Sequence, residues 1–290
     1  MVYTRNSEMC RNCGICASDC SPLINGLMES RGNRSNPDSK ACERCGHCYS
    51  VCHYGAISIT GAVPIVPEST AMRPLFTTIS MRRSERRFRT RSLSNETVSA
   101  LLSAAAQTPS GGNRRTTECT LLYDDESRRR LITVMRDFYF RLARLAKNPP
   151  ARRLVGALLG KVAGAFLNDD EYRKRFVALV EGIDKGRDPL FYGAPMVMLF
   201  HCKELMPTPE EDAVIAAYNV SLAATAMGLG TCFVSMAQKA IEASRKVRRT
   251  IGLSGNQRIL AVLAVGYPAV RRVRSVVRTP MQATVATATN

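Results

Sequence analysis

The chain has 290 residues, with 41 lysines and arginines against 24 aspartates and glutamates, so its formal net charge is +17; 45% of its residues are hydrophobic. That length accommodates two domains, and that apolar share excludes wholesale disorder or a collagen-like rod. No run supplies the ~20 apolar residues of a membrane helix: Leu154 to Leu167 is short and carries Lys161, while Ala213 to Ala237 holds Tyr218, Asn219 and two glycines and reads as a buried helix running into a strand. From its first residues, MVYTRNSEMC, the chain lacks the apolar segment of a secretion signal, so a soluble, cytoplasmic protein with no membrane span is expected.

Cysteines dominate the first sixty residues. Eight of the eleven fall in two quartets, Cys10, Cys13, Cys16, Cys20 and Cys42, Cys45, Cys48, Cys52, each spaced C-x2-C-x2-C-x3-C. Such runs hold four-iron four-sulfur cubes. Three thiolates two residues apart on one tight loop reach three irons of a cube, and the fourth follows too closely to close it. The implied ligand sets are therefore Cys10, Cys13, Cys16 with Cys52, and Cys42, Cys45, Cys48 with Cys20. Zinc favours separated C-x2-C pairs, and disulfides need an oxidising compartment; neither matches the pattern as well. The stretch from about Met1 to Gly61 resembles a bacterial two-cluster ferredoxin, including the tail Cys52-His53-Tyr54-Gly55-Ala56-Ile57. His53 stands where that family carries proline and reads as a surface histidine, and Ser21 separates Cys20 from Pro22. Residues 1–60 carry a net +1 and the rest +16. Two oxidised thiolate-ligated cubes, at about −2 each, would make the head acidic against a basic body.

Prolines 64, 67 and 74 mark residues 63–74 as a linker. MRRSERRF, Met81 to Phe88, comes next, and then a helix from Ser94 to Ala106 with Ser94 as N-cap, Thr97 at the capping-box position and Val98, Leu101, Leu102 and Ala105 on one face. Pro109-Ser110-Gly111-Gly112-Asn113 is a turn, and Cys119 to Tyr123 a short strand. Helices are expected at Arg128 to Ala146, Arg152 to Phe166 and Glu171 to Gly182, forming an insert over about 125–187. A strand at Met196 to Phe200 follows Ala194-Pro195.

RRSERRF and PSGGN, followed in order by Ala194-Pro195, Met227-Gly228-Leu229-Gly230 and Gly266-Tyr267-Pro268, give residues from about Pro74 to Arg278 a resemblance to the FMN-dependent nitroreductase family. With its head, the whole chain resembles ferredoxin-fused nitroreductases. The resemblance implies an α+β architecture: a two-cluster ferredoxin-like domain at 1–62, then an FMN-binding sandwich at 75–290 with the helical insert. It implies that Arg82, Arg83, Ser84 and Arg86 hold the phosphate and ribityl chain, joined by Arg272, Arg274 or Arg278. It also implies that Pro109, Ser110, Gly111 and Asn113 touch the ribityl and ring edge, and that Phe233, Val234 and Ser235 lay backbone against the ring. Guanidinium matches a phosphate dianion in charge and shape.

No nucleophile–base set is evident, and only His47, His53 and His201 occur. That suits a flavoenzyme, whose cofactor carries the hard chemistry. The expected cofactors are two 4Fe-4S clusters and FMN. The expected partners are a ferredoxin or other one-electron donor, a small organic acceptor such as a nitroaromatic, quinone or activated alkene, and a second copy in a homodimer. Two alternatives stand beside this reading: an NAD(P)H-dependent nitroreductase with accessory clusters, and a non-enzymatic redox sensor or electron carrier whose basic surface binds a polyanion. Nucleic-acid binding is disfavoured, because no recognisable module accompanies the arginine runs. Cys232 is read as a packing residue.

Overall fold

The computed structural model describes residues 2–20, 42, 46–60, 73–151, 168–203, 208–253, 255–275, 278 and 281–285. Cys45, linker residues 63–72 and the expected helix from Arg152 to Phe166 lie outside the described residues. The chain forms two compact units. The first contains the described residues up to Met81 together with those from Arg272 onward, and the second contains the described residues of 82–271. Contacts thus group the C-terminal segment with the first unit, where a linear division at residue 62 assigns it to the second.

In the first unit, β1 (Val2–Arg5) pairs antiparallel with β2 (Ile57–Thr60), Val2 opposite Thr60 and Arg5 opposite Ile57. Among the described residues between them are two short helices, α1 (Ile15–Ser18) and α2 (His47–Val51). Each begins after a glycine in the left-handed region, Gly14 at φ 74° and Gly46 at φ 77°. Each glycine directly follows the second cysteine of a Cys-x2-Cys-Gly-x-Cys run, and a side chain there would strain the turn that leads to the third cysteine. Helix α3 (Arg73–Met81) completes the unit. Pro74, read from sequence as part of a break, sits in its first turn, where the missing N–H costs nothing.

The second unit is built on an antiparallel sheet of order β3-β4-β6-β5, with β3 Glu118–Leu122, β4 Met196–Lys203, β5 Gly230–Phe233 and β6 Gln257–Gly266. Period-two alternation sends β4 side chains to both faces. Met196, Met198 and Phe200 join Leu101, Ala217 and Val220, from α4 (Asn95–Ala106) and α7 (Pro209–Ala226). Val197 and Leu199 join the opposite core, with Leu131 and Met135 of α5 (Asp125–Lys147), Leu179 of α6 (Asp170–Asp184), Ile241 of α8 (Ser235–Ala243) and Val247 of α9 (Arg245–Thr250). Helices on both faces explain why Met196 to Phe200 of β4 and Ile259 to Val265 of β6 are apolar without interruption. Ser94 is the N-cap as expected, its hydroxyl accepting from Thr97 N–H at 3.2 Å, while the carboxylates of Asp124 and Asp169, not singled out from sequence, cap α5 and α6. The α+β expectation holds for this unit.

Candidate functional site

At Arg82 the chain leaves α3 and runs extended. Ser84 bridges to Thr231 in β5, and Glu85 N–H donates to the Thr231 carbonyl at 2.8 Å. Farther on, Arg89 N–H donates to the Tyr267 carbonyl at 2.9 Å and Ala269 N–H to that of Arg87 at 2.8 Å. The arginine segment therefore acts as an added strand along β5 and the turn after β6, rather than as a solvated helix start. Contact is tight enough that a Cβ on Gly230 would lie 2.7 Å from Glu85 Cγ, so only glycine fits there.

Extended backbone sorts these side chains by parity. Arg83 and Glu85 are buried, while Arg82, Ser84 and Arg86 are half-buried on the other side. Arg83, expected beside the other three, lies on the opposite face and donates to the Arg82 carbonyl. The Arg82 guanidinium stands over the Tyr218 ring at 5.7 Å, and its Nε is buried with no hydrogen-bond partner. Two neighbours register the same cluster. Burial pushes the Cys232 thiol up, opposed by Arg86, a Ser84 hydrogen bond and Arg82. Burial likewise pushes the Tyr192 hydroxyl up, against a hydrogen bond and the charge of Arg86. Arg82, Ser84 and Arg86 thus converge on the wall formed by Tyr192, Tyr218 and Cys232.

The Pro109–Asn113 turn is anchored along α7. Gly111 N–H faces both carboxylate oxygens of Asp212 at 3.3 Å, and Thr208 Oγ1 donates to Asp212 at 3.0 Å. Asn219 donates to Thr108 Oγ1 at 3.3 Å. Ser110 Oγ accepts from Arg115 N–H at 2.9 Å, and Asn113 takes φ 55°. Tyr218 and Asn219 are adjacent on α7, so one helix carries the arginine segment on one face and the turn on the next. Beside Ser110 lies a cavity of about 340 Å³ walled by Leu102, Ala105, Phe200 and Ala216, with Thr117 Oγ1 buried there and lacking a hydrogen-bond partner. Asp212 was not legible from sequence. It sits in an acidic first turn, Glu210-Glu211-Asp212, which reads equally well as complementing the helix dipole.

Of the third expected group, Phe233 is 36% exposed at the end of β5, Val234 is buried with its N–H donating to the Val262 carbonyl at 2.9 Å, and Ser235 begins α8. Cys232 is 2% exposed, in agreement with a packing role. Burial holds Cys119 up to about 12, so it too is a thiol.

In the first unit, Cys10, Cys13, Cys16 and Cys52 line one cavity together with Gly14, Val51 and Ile57. These four are the ligand set implied by spacing, with Cys52 arriving from the second quartet. None of the ten described cysteines is in a disulfide. Among the described residues no three His, Cys, Asp or Glu side chains close on a single metal ion. A cube of four irons would hold its thiolates farther apart than one ion does, and Cys45 lies outside the described residues. Arg272 and Arg274, expected at the phosphate, have other partners here: Arg272 bonds to Asp19 and Ser50, and Arg274 to the Cys52 carbonyl. Arg278 is exposed. Both bonded arginines lie past β6, where nothing in the sequence shows which unit the chain joins.

The Nitroreductase family model matches residues 79–267. Comparison with curated proteins finds no match. Among solved structures, an FMN-bound nitroreductase from Desulfitobacterium hafniense is 20% identical, covering 75% of this chain and 99% of its own, at a TM-score of 0.51. An FMN-bound nitroreductase from Bacteroides fragilis is 19% identical, covering 74% and 98%, at 0.49. At these identities the first likeness speaks to the fold alone. No described helix is long and apolar enough to cross a membrane.

Proposed function

The chain belongs to the nitroreductase family, and from that premise we propose that it is an FMN-dependent oxidoreductase fed by two 4Fe-4S clusters. Held by the two cysteine quartets, the clusters would supply one-electron transfer from a ferredoxin or other one-electron donor, and the acceptor would be a small organic molecule such as a nitroaromatic, quinone or activated alkene. The observation that carries the cofactor assignment is the one-sided alignment of Arg82, Ser84 and Arg86 beside Tyr218 and Cys232, with Arg82 Nε buried and unsatisfied.

These residues fit a flavin mononucleotide. Arg82 and Arg86 offer planar N–H donors to a phosphate dianion, and Ser84 adds a hydroxyl between them. When bound, FMN supplies the exchange between one- and two-electron chemistry. Ser110, Gly111 and Asn113 hold the ribityl edge, and the Phe233–Ser235 backbone flanks the ring. Arg83 belongs to the seam under β5 and supports the strand that presents the other three. Cys10, Cys13, Cys16 and Cys52 hold one cube, and Cys20, Cys42, Cys45 and Cys48 the other. The shared cavity of the first four is the support for that pairing.

A homodimer is part of this reading, supported by the exposed apolar side chains of α7.

Protein purified without oxygen should carry about eight irons and eight sulfides per chain, as two cubes require, with one FMN. Removing both Arg82 and Arg86 should weaken FMN binding at least about tenfold, since hydrogen bonds to charged groups are worth roughly 1.5–3 kcal/mol each. Unchanged FMN affinity would overturn the phosphate assignment. In stopped flow, reduced ferredoxin should bleach the chromophores faster than NADH or NADPH; rapid bleaching by a nicotinamide alone would reverse the donor assignment.

A further inference from the structure

Three residues from the far end of the chain lie against the second cysteine quartet. Arg272 Nη1 stands 3.0 Å from Asp19 Oδ2 and Nη2 3.4 Å from Oδ1, and Nη1 donates to Ser50 Oγ at 2.8 Å. Asp19 is 1% exposed and Ser50 fully buried. The Ser50 hydroxyl donates to the His47 carbonyl at 2.9 Å, and His47 Nδ1 lies 3.6 Å from Asp19. Val273 N–H donates to the Ser50 carbonyl at 3.3 Å. Arg274 Nη2 donates to the Cys52 carbonyl, its guanidinium lies 4.8 Å from the Tyr49 ring centroid, and its Nε is buried with no hydrogen-bond partner.

The contacts bracket the cysteines. Asp19 precedes Cys20, Ser50 lies between Cys48 and Cys52, and Arg274 bonds to Cys52 itself. The two arginines differ in charge balance. Arg272 is matched by a buried carboxylate, so the pair adds little net field. Arg274 faces a carbonyl and a ring, both neutral, and brings a whole positive charge to the Cys52 backbone.

We propose that Arg274 sets the reduction potential of the cluster that Cys52 ligates, while Arg272 is a positioning residue that clamps the Cys48–Cys52 segment through Asp19 and Ser50. This rests on the reading above that the quartets hold cubes. Reduction adds one electron and breaks no bond, taking a thiolate-ligated cube from about −2 to about −3. A nearby cation favours the more negative state, as it favours an ionised acid. Hydrogen bonding and local charge are recognised levers on such potentials.

The test is an anaerobic potentiometric titration of the full, cluster-loaded chain, with dithionite as reductant, followed by electron paramagnetic resonance. Arg274→Gln and Arg274→Met remove the charge in two shapes, so loss of iron from one still leaves the other to decide. Either should shift the one-electron equilibrium of one cluster about tenfold toward the oxidised form, about 59 mV at n = 1, and leave the other cluster in place. Arg274→Lys should return the midpoint towards that of the wild type. A loaded variant with both midpoints unmoved overturns the proposal. A wild-type chain without iron and sulfide overturns the cluster reading itself, and shows this before any variant is made.

Discussion

His201 shows how a single buried side chain ties the second unit to pH. Its ring lies between Thr120 Oγ1, 2.9 Å from Nε2, and Gln257, 3.3 Å from Nδ1, with Glu118 at 3.6 Å. Burial lowers its pKa, and the nearby Glu118 carboxylate only partly opposes this. The folded state therefore favours the neutral ring, and the unfolded chain takes up the proton first as pH falls. The stability this contributes is present above the ordinary histidine pKa of about 6.5 and is lost as pH drops through the lower folded value. Thermal unfolding midpoints should fall between pH 7.5 and 5.5, and His201→Gln should flatten that slope; an equal slope in both proteins would show that other groups control it. At this scale the sequence is legible where chemistry is dense. The cysteine quartets and the arginine cluster declare themselves by spacing. Asp19 and Arg272, 253 residues apart, carry no local sign that they meet.

Among elements, α7 beyond its acidic first turn carries apolar side chains on its outer face as well as its inner one. Ala213, Ala216, Ala217, Val220 and Ala224 pack on the sheet, yet Val214, Ile215 and Tyr218 on the outer face are 46%, 39% and 39% exposed. Helices that are apolar all round are normally covered all round, and a second copy of the chain is the partner proposed above. Ile215→Glu should convert a sedimenting dimer to monomer; a wild-type chain that already sediments as a monomer would refute the assignment. Helices with capping residues and clear periodicity were readable in advance, as α4, α5 and α6 show. Others were not, α3 and β6 among them. Helix α3 is hidden by Pro74, a breaker everywhere except the first turn. The run Ile259-Leu260-Ala261-Val262-Leu263-Ala264-Val265 in β6 is continuous apolar sequence, which periodicity alone cannot divide between strand and buried helix. Extended geometry at Arg82–Arg86 was equally hidden, and with it the parity that turns Arg83 away from its neighbours.

For the whole molecule, the division into units does not follow the order of the chain. A reading along the sequence ends the cysteine-rich unit near residue 62, because composition changes there. Contacts add the segment after Arg271, because the buried carboxylate of Asp19 requires a cation to match it. Breaking a buried pair by removing one partner typically costs about 3–5 kcal/mol, a large share of what a small unit has to spare. A fragment of residues 1–62 should accordingly retain several-fold less iron than the intact chain after anaerobic reconstitution. Equal retention would show that the C-terminal arginines are dispensable for assembly. Residues 222 positions apart, Ser50 and Arg272, must meet. At synthesis rates of about 5–20 residues per second, the cysteines leave the ribosome roughly ten to forty seconds before their arginine clasp exists. If the quartets hold cubes as proposed, the nascent thiols would meet iron during that interval without the arginine clasp.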